Sequence, residues 1–592
     1  MKQLLMGNAA IGLGALRAGV KCVSGYPGTP STEVLETIAK ENNDRIHVEW
    51  STNEKAALEV AAGASYCGCR ALVTMKQVGL NVASDPLMSL AYVGVKGGVV
   101  VLVADDPGPI SSQTEQDTRT FAEFSKLPVF DPASPEEAYL MIADAFDYSE
   151  KYHTPVLFRP TTRVCHATAP VELLPKLDVP APAGFVRDPN LVIFPRLSFA
   201  SHTAIEKRNP MIGDDFSAYR FNAARGKGKK GIVCGGISRA YTNEALTALH
   251  ADVPVCEVAT PFPFPEKLLL SFLDGMDEVL AVEELDPFLE RELLKLAGKH
   301  HLPVTVRGKL TGDVCSAGEN TNESVRAAVA SFLGLASPAE TQKPDADLPV
   351  RAPVLCAGCP HRASFYAVKQ AMKGQKAVFT GDIGCYTLGN AAPLDMVDTC
   401  LCMGAGITIA QGIKQMEPDT HLFAFVGDST FFASGLTGVA NAVYNKANIT
   451  VVILDNSTTA MTGHQPHPGT GKTMMGDISN AISIPAVLSA LGVGFIRTVD
   501  PLCLPDAIAA AKDAASYDGV SAIIYKSPCI AVTKPDRPAV IDTEKCTGCR
   551  KCIRELGCPA LVKANGKVAV DASLCTGCGL CTQVCPFGAI TK

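Results

Sequence analysis

Eight cysteines crowd into residues 546–585 in two runs of like spacing, and no other feature limits so tightly what this chain can fold into. The first run reads Cys546-Thr-Gly-Cys549-Arg-Lys-Cys552 and ends at Cys558-Pro559. The second reads Cys575-Thr-Gly-Cys578-Gly-Leu-Cys581 and ends at Cys585-Pro586. Paired C-x2-C motifs suit tetrahedral zinc, which stands as the alternative. A third thiolate at the same spacing and a fourth beside proline, in both runs, fit 4Fe-4S ligation better. The segment therefore reads as a two-cluster module that moves electrons singly.

The spacing resembles ferredoxins of the bacterial type, in which the fourth cysteine of each run ligates the opposite cluster. The resemblance implies one cluster on Cys546, Cys549, Cys552 and Cys585, and another on Cys575, Cys578, Cys581 and Cys558. The first run departs from the pattern, with five residues rather than three ahead of Cys558.

A chain of 592 residues exceeds one core and should divide into about four domains. With 19% charged and 47% hydrophobic residues and abundant glycine, the composition suits α/β architecture with close helix-sheet packing. A net charge of -7 offers no basic face, so neither nucleic acid nor an anionic membrane is an expected partner. No apolar run reaches the length of a membrane span. The glycine-diluted start is not read as a signal peptide, and a thiolate-ligated redox chain suits a cytoplasmic location.

Short apolar runs such as Ala71–Thr74 and Val99–Val103, alternating with helical stretches such as Pro135–Tyr139, predict a parallel α/β domain over 1–175. Residues 176–230 read as an irregular linker. A second α/β domain is expected over 231–335, with strands at Gly231–Gly236 and Val279–Glu283. After a break at 336–350, a third is expected over 351–535, with strands at Leu422–Val426 and Ile449–Leu454, ahead of the iron-sulfur module at 540–592.

Gly427-Asp428-Ser429 follows one of those strands and Asp455-Asn456-Ser457-Thr458 follows the next. A carboxylate and an amide one βαβ unit apart would meet at the carboxyl edge of a parallel sheet, where ligands bind in such folds. Hard oxygen ligands there suit Mg²⁺ completed by phosphate oxygens. Pro468-Gly-Thr-Gly471-Lys472-Thr473 is not a phosphate-binding P-loop, because Pro466 stands where the first glycine is required.

The paired motif resembles the G-D-G…N signature of thiamine diphosphate enzymes, with Ser429 replacing the last glycine. That resemblance implies cofactor binding at Gly427, Asp428 and Ser429, with Mg²⁺ on Asp428, the Asn456 side chain and the Thr458 carbonyl. Joined to the two-cluster module, the whole chain resembles the 2-oxoacid:ferredoxin oxidoreductases, and its domain order and length are similar to the large subunit of the indolepyruvate type. Tyr26-Pro-Gly-Thr29-Pro-Ser31 resembles the family's Y-P-x-T-P-S motif, which implies Thr29 near the reacting carbons. Asn53–Glu59 matches the segment carrying the glutamate that bonds the aminopyrimidine N1′, which implies Glu54, with Glu59 nearby. A carboxyl group there favours the imino tautomer whose nitrogen removes the thiazolium proton. Thr462-Gly463-His464-Gln465 resembles the family's cofactor loop. His361 and His464 are candidates to face substrate, although isolated histidines are more often structural.

Cys356, Cys359, Cys385 and Cys529 resemble the ligands of a third, proximal 4Fe-4S cluster; a zinc site or buried free cysteines are the alternatives. The resemblance further implies oxidative decarboxylation of an aryl pyruvate to an acyl-coenzyme A and CO2, with an external ferredoxin as acceptor. It implies a smaller β subunit in a heterodimer or a dimer of heterodimers, and a transketolase C-terminal-like role for 231–335. An enzyme using pyruvate or a branched-chain 2-oxoacid, a non-oxidative thiamine decarboxylase and an electron-transfer subunit remain alternatives.

Overall fold

Val99–Ala104 is Val-Val-Val-Leu-Val-Ala with every residue buried, the continuous apolar run of a parallel strand covered on both faces. It lies inside a six-stranded parallel sheet whose order is His47–Trp50, Cys22–Gly25, Ala71–Lys76, Val99–Ala104, Val156–Phe158, Val129–Phe130. A computed structural model describes residues 2–43, 46–336 and 352–592, and divides the chain into two compact units, 1–347 and 348–592.

The helices of the first unit begin where local chemistry directs. Helix Pro135–Tyr152 opens with the Ser134 hydroxyl accepting the Glu137 N–H at 3.2 Å, carries Glu136 and Glu137 in its first turn, and closes with Lys151 in its last. A second sheet in this unit has the order Thr305–Arg307, Glu278–Val282, Lys230–Gly235, Val255–Val258, Ala223–Arg225, parallel except for its last strand. Arg119 joins the two layers: fully enclosed, it bonds Asp117 at 2.6 Å, Glu283 at 2.8 Å and the Glu284 carbonyl at 2.6 Å.

The linker expected over 176–230 is not irregular throughout. Residues Pro195–Ser217 form a helix of 23 residues, and Ala223–Arg225 pairs with Val255–Val258. Ile205, Ile212, Gly213 and Phe216 bury one stripe of that helix, which is what holds it in place. The expected break at 336–350 lies, from residue 337 on, outside the described residues.

In the second unit five parallel strands run in the order Ala377–Thr380, His421–Gly427, Thr450–Asp455, Ser521–Lys526, Phe495–Val499. Two short antiparallel pairs follow. Val540–Ile541 pairs with Ile590–Thr591, and Leu561–Ala564 pairs with Lys567–Val570.

Candidate functional site

In the first unit, Thr29 and Glu54 follow adjacent strands at their carboxyl ends, Thr29 after Cys22–Gly25 and Glu54 after His47–Trp50. Glu54 is the first residue of helix Glu54–Tyr66, whose cap is the Asn53 side chain accepting the Ala56 N–H. Its carboxyl group lies over Gly79, where an added Cβ would come within 2.5 Å of Oε1, so only a glycine leaves room for it. The residue as a whole is partly exposed, yet its carboxyl is crowded enough that burial pushes the pKa up to about 7, against the lowering pull of the helix N-terminus and Lys76. Glu59 is exposed and paired with Lys55. The Thr29 carbonyl accepts the Ser111 hydroxyl at 3.2 Å.

In the second unit, Asp428 follows strand His421–Gly427 and is 3% exposed. Its Oδ1 accepts the Ser429 N–H and its Oδ2 the Ser457 N–H, each at 2.8 Å, so it is tied directly to the turn that follows the neighbouring strand. Asn456 in that turn places its Nδ2 3.2 Å from Nε2 of His361. Burial lowers the His361 pKa to about 4, so the ring is neutral and accepts from the amide. The amide is thereby oriented with Oδ1 as its acceptor, and that oxygen receives the Thr458 N–H at 3.3 Å. His361 is thus a buried partner of Asn456, whereas His464 is exposed with φ 67°. Thr462 donates to Gln465 Oε1 at 2.6 Å and accepts from Gln465 Nε2 at 2.7 Å, while Gly463 at φ 123° makes the turn between them.

Two residues to which the sequence reading gave no role complete this edge. Asp382 follows strand Ala377–Thr380 in the same Gly-Asp step that precedes Ser429, a repetition visible in the sequence. It accepts the Gly404 N–H at 2.8 Å and the Tyr386 hydroxyl at 2.9 Å, and burial raises its pKa to about 6. Asp455 lies near Asp428; burial first, then the Asp428 charge, raises its pKa.

The cysteine runs fold around two cavities. The smaller is lined by Cys546, Cys549, Cys552 and Cys585 with Ile541, Val568 and Ile590. The larger is lined by Cys558, Cys575, Cys578 and Cys581 with Leu561, Val570 and Leu580. Pairing of Ile590–Thr591 with Val540–Ile541 returns Cys585 to the first run, and pairing of Leu561–Ala564 with Lys567–Val570 sets Cys558 against the second. Among the described residues no three His, Cys, Asp or Glu side chains are gathered closely enough to hold a single ion; the sulfurs surround volume instead. The longer spacing ahead of Cys558 has a packing role. The Leu556 carbonyl accepts Arg362 Nη1 at 2.5 Å, and Gly557, at φ 59°, fits where a Cβ would meet Pro393 at 2.5 Å.

Ala357, Gly358 and Cys359 form part of the wall of the larger cavity. Burial raises the Cys359 thiol to about 12, with Cys385 and Cys356 adding to the rise; burial raises Cys385 to about 11, with Cys529 and Cys356 adding. Cys385 is thus within electrostatic reach of Cys356, Cys359 and Cys529. The N–H of Cys529 donates to the Asn456 carbonyl at 3.0 Å.

Family models match in three places. The thiamine-binding domain of pyruvate flavodoxin/ferredoxin oxidoreductase covers residues 13–185, the C-terminal TPP-binding domain of thiamine pyrophosphate enzymes covers 382–525, and a 4Fe-4S binding domain covers 568–591. Indolepyruvate oxidoreductase subunit IorA of Methanothermobacter thermautotrophicus is 41% identical over 100% of this chain and 97% of its own. The chain belongs to the IorA family of indolepyruvate oxidoreductase subunits. IorA of Thermococcus kodakarensis is 40% identical over 94% of this chain and 91% of its own. Ketoisovalerate oxidoreductase subunit VorB of Methanothermobacter marburgensis is more distant, at 25% identity over 50% of this chain and 89% of its own. The IorA-family chain is accordingly a subunit of a thiamine diphosphate-dependent 2-oxoacid:ferredoxin oxidoreductase with a 4Fe-4S domain.

Proposed function

We propose that this chain, with a smaller β subunit, oxidatively decarboxylates aryl pyruvates such as indolepyruvate to aryl-acetyl-coenzyme A and CO2, passing electrons to an external ferredoxin. The observation that carries the reading is the Cys529–Asn456 bond, which sets a loop of the candidate third cluster directly on the candidate Mg²⁺ turn.

The residues fit the groups they would hold. Asp428 keeps a buried carboxylate beside the oriented oxygen of Asn456, a hard donor set suited to Mg²⁺ with the Thr458 carbonyl. The smaller cavity is walled by four cysteines, and the larger by the four of its own runs with Cys359 beside them, each among apolar side chains, which suits a 4Fe-4S cluster. Thiamine diphosphate supplies the electron sink for loss of CO2, and the clusters carry the electrons away singly.

This chain's residues have separate tasks. Glu54, its pKa pushed up to about 7, is poised to hold a proton for the pyrimidine N1′, and Thr29 orients the substrate. Gly427, Ser429, Thr462, Gly463 and Gln465 shape the cofactor's bed. Cys356, Cys359, Cys385 and Cys529 hold the third cluster. The next is held by Cys575, Cys578, Cys581 and Cys558, whose cavity shares a wall with the Cys356–Cys359 loop. Cys546, Cys549, Cys552 and Cys585 hold the last.

Anaerobic viologen reduction by the two-subunit complex, supplied with coenzyme A and a panel of 2-oxoacids, tests the substrate. Coenzyme A-dependent reduction fastest with indolepyruvate is expected. Preference for a branched-chain acid, the substrate named for VorB, would replace the aryl assignment; aldehyde release without dye reduction would replace the oxidative one.

A further inference from the structure

His467 stands two residues beyond the Thr462–Gln465 loop, and none of the motifs that carry the proposed function includes it. Its side chain is 4% exposed. The ring is held between Phe432, at 5.9 Å between centroids, and Gly469, where an added Cβ would come within 3.0 Å of its Cε1. Nδ1 accepts the Gly469 backbone N–H at 3.2 Å. A backbone amide can only donate, so in the neutral ring the proton sits on Nε2.

That Nε2–H is buried and meets no hydrogen-bond acceptor among the described residues. Oδ2 of Asp428 is 3.2 Å away but off the N–H axis, and Asp428 already receives the N–H groups of Ser429 and Ser457. A buried donor left unmet is costly, which marks it as aimed at a ligand. Asp428 beside it, Asp455 near Asp428 and Asn456 Oδ1 on the turn tied to Asp428 are acceptors suited to a cation. A donor in such company needs a ligand that brings its own anionic oxygen, and a Mg²⁺-diphosphate brings both charges.

We propose that His467 Nε2–H donates to an anionic oxygen of the bound diphosphate, a binding contact that rests on the thiamine diphosphate reading. It adds a direct protein donor to a group otherwise held through the metal.

Calorimetric titration of thiamine diphosphate at saturating Mg²⁺ into the cluster-loaded two-subunit complex, stripped of cofactor, tests the contact. His467→Phe keeps the ring and removes the donor; the dissociation constant is expected to rise about 10–100-fold. His467→Gln, which retains an N–H, is expected to recover most of the loss. If His467→Phe does not fold, His467→Ala carries the same expectation. A Phe variant within about twofold of wild type overturns the contact. So does a defect confined to Mg²⁺ affinity, which would make His467 a positioning residue for Asp428. Wild type that binds no thiamine diphosphate overturns the underlying reading and the contact with it.

Discussion

A Cβ built on Gly358 would lie 1.8 Å from Oγ1 of Thr576. The first residue belongs to the Cys356–Cys359 loop and the second to the Cys575–Cys578 loop, so the Thr576 side chain packs directly on the Gly358 backbone and the two candidate cluster loops touch there. Gly358 also has φ 78°, a conformation other residues adopt only with strain.

Gly358→Ala should therefore push the two loops apart, at a cost of about 1–3 kcal/mol from overpacking. Ferredoxin reduction by the complex is expected to slow roughly tenfold, equivalent to about 1.4 kcal/mol in the barrier. Adding Thr576→Gly should restore part of the rate. Stopped-flow rates of ferredoxin reduction check this; an unchanged rate in Gly358→Ala would show that electrons do not cross at this contact.

The strand pairings place Cys585 with the first run and Cys558 with the second. Cys585→Ala is expected to lose the same cluster as Cys546→Ala, and Cys558→Ala the same as Cys575→Ala, each removing about four irons per chain. Iron analysis and electron paramagnetic resonance spectra of the four variants decide it. A Cys585→Ala spectrum matching Cys575→Ala would reverse the assignment.

Glu54 titrates at about 7 in the fold, above the ordinary 4.5. Its protonated form is the one the fold favours. The associated stability is full below about pH 4.5 and is lost as pH rises through about 7. Against Glu54→Gln, which does not titrate, wild type without thiamine diphosphate should lose on the order of 1 kcal/mol per pH unit across that window. Thermal unfolding at stepped pH measures it; a pH-independent gap between the two proteins would refute the crowded carboxyl.

Arg119 is buried between Asp117 and Glu283. Arg119→Met would leave both carboxylates buried and unpaired, at a cost of about 3–5 kcal/mol. Urea unfolding of the complex should show the loss in the first unit; a change below about 1 kcal/mol would mean that the two sheets of that unit do not depend on this cation.

What the sequence made legible follows from how local each signal is. The cysteine runs and the strand-end pairs at Asp428 and Asn456 are short-range patterns, and each strand expected from an apolar run overlaps one of the observed strands. Helix Pro195–Ser217 was hidden because Pro195 and Pro210 punctuate it; the first is tolerated in an opening turn, and the second masks a spacing of Ile205, Ile212 and Phe216 that is helical. His467 gave no warning because its role depends on Asp428, which the fold brings to it, whereas Asp382 shares the visible Gly-Asp step of Asp428 but takes its role from the distant Gly404 and from Tyr386. The approach of Cys385 to Cys356, Cys359 and Cys529 is likewise long-range, and only the family resemblance pointed to it.

On the proposed route, electrons leave the thiamine site through the cluster on Cys356, Cys359, Cys385 and Cys529. Rapid-freeze electron paramagnetic resonance after mixing indolepyruvate with wild-type and Cys529→Ala complexes tests the route. Reduced clusters are expected in the C-terminal module of wild type and none on the same timescale in Cys529→Ala, with thiamine diphosphate still bound. Module clusters reduced at the wild-type rate in the variant would contradict it.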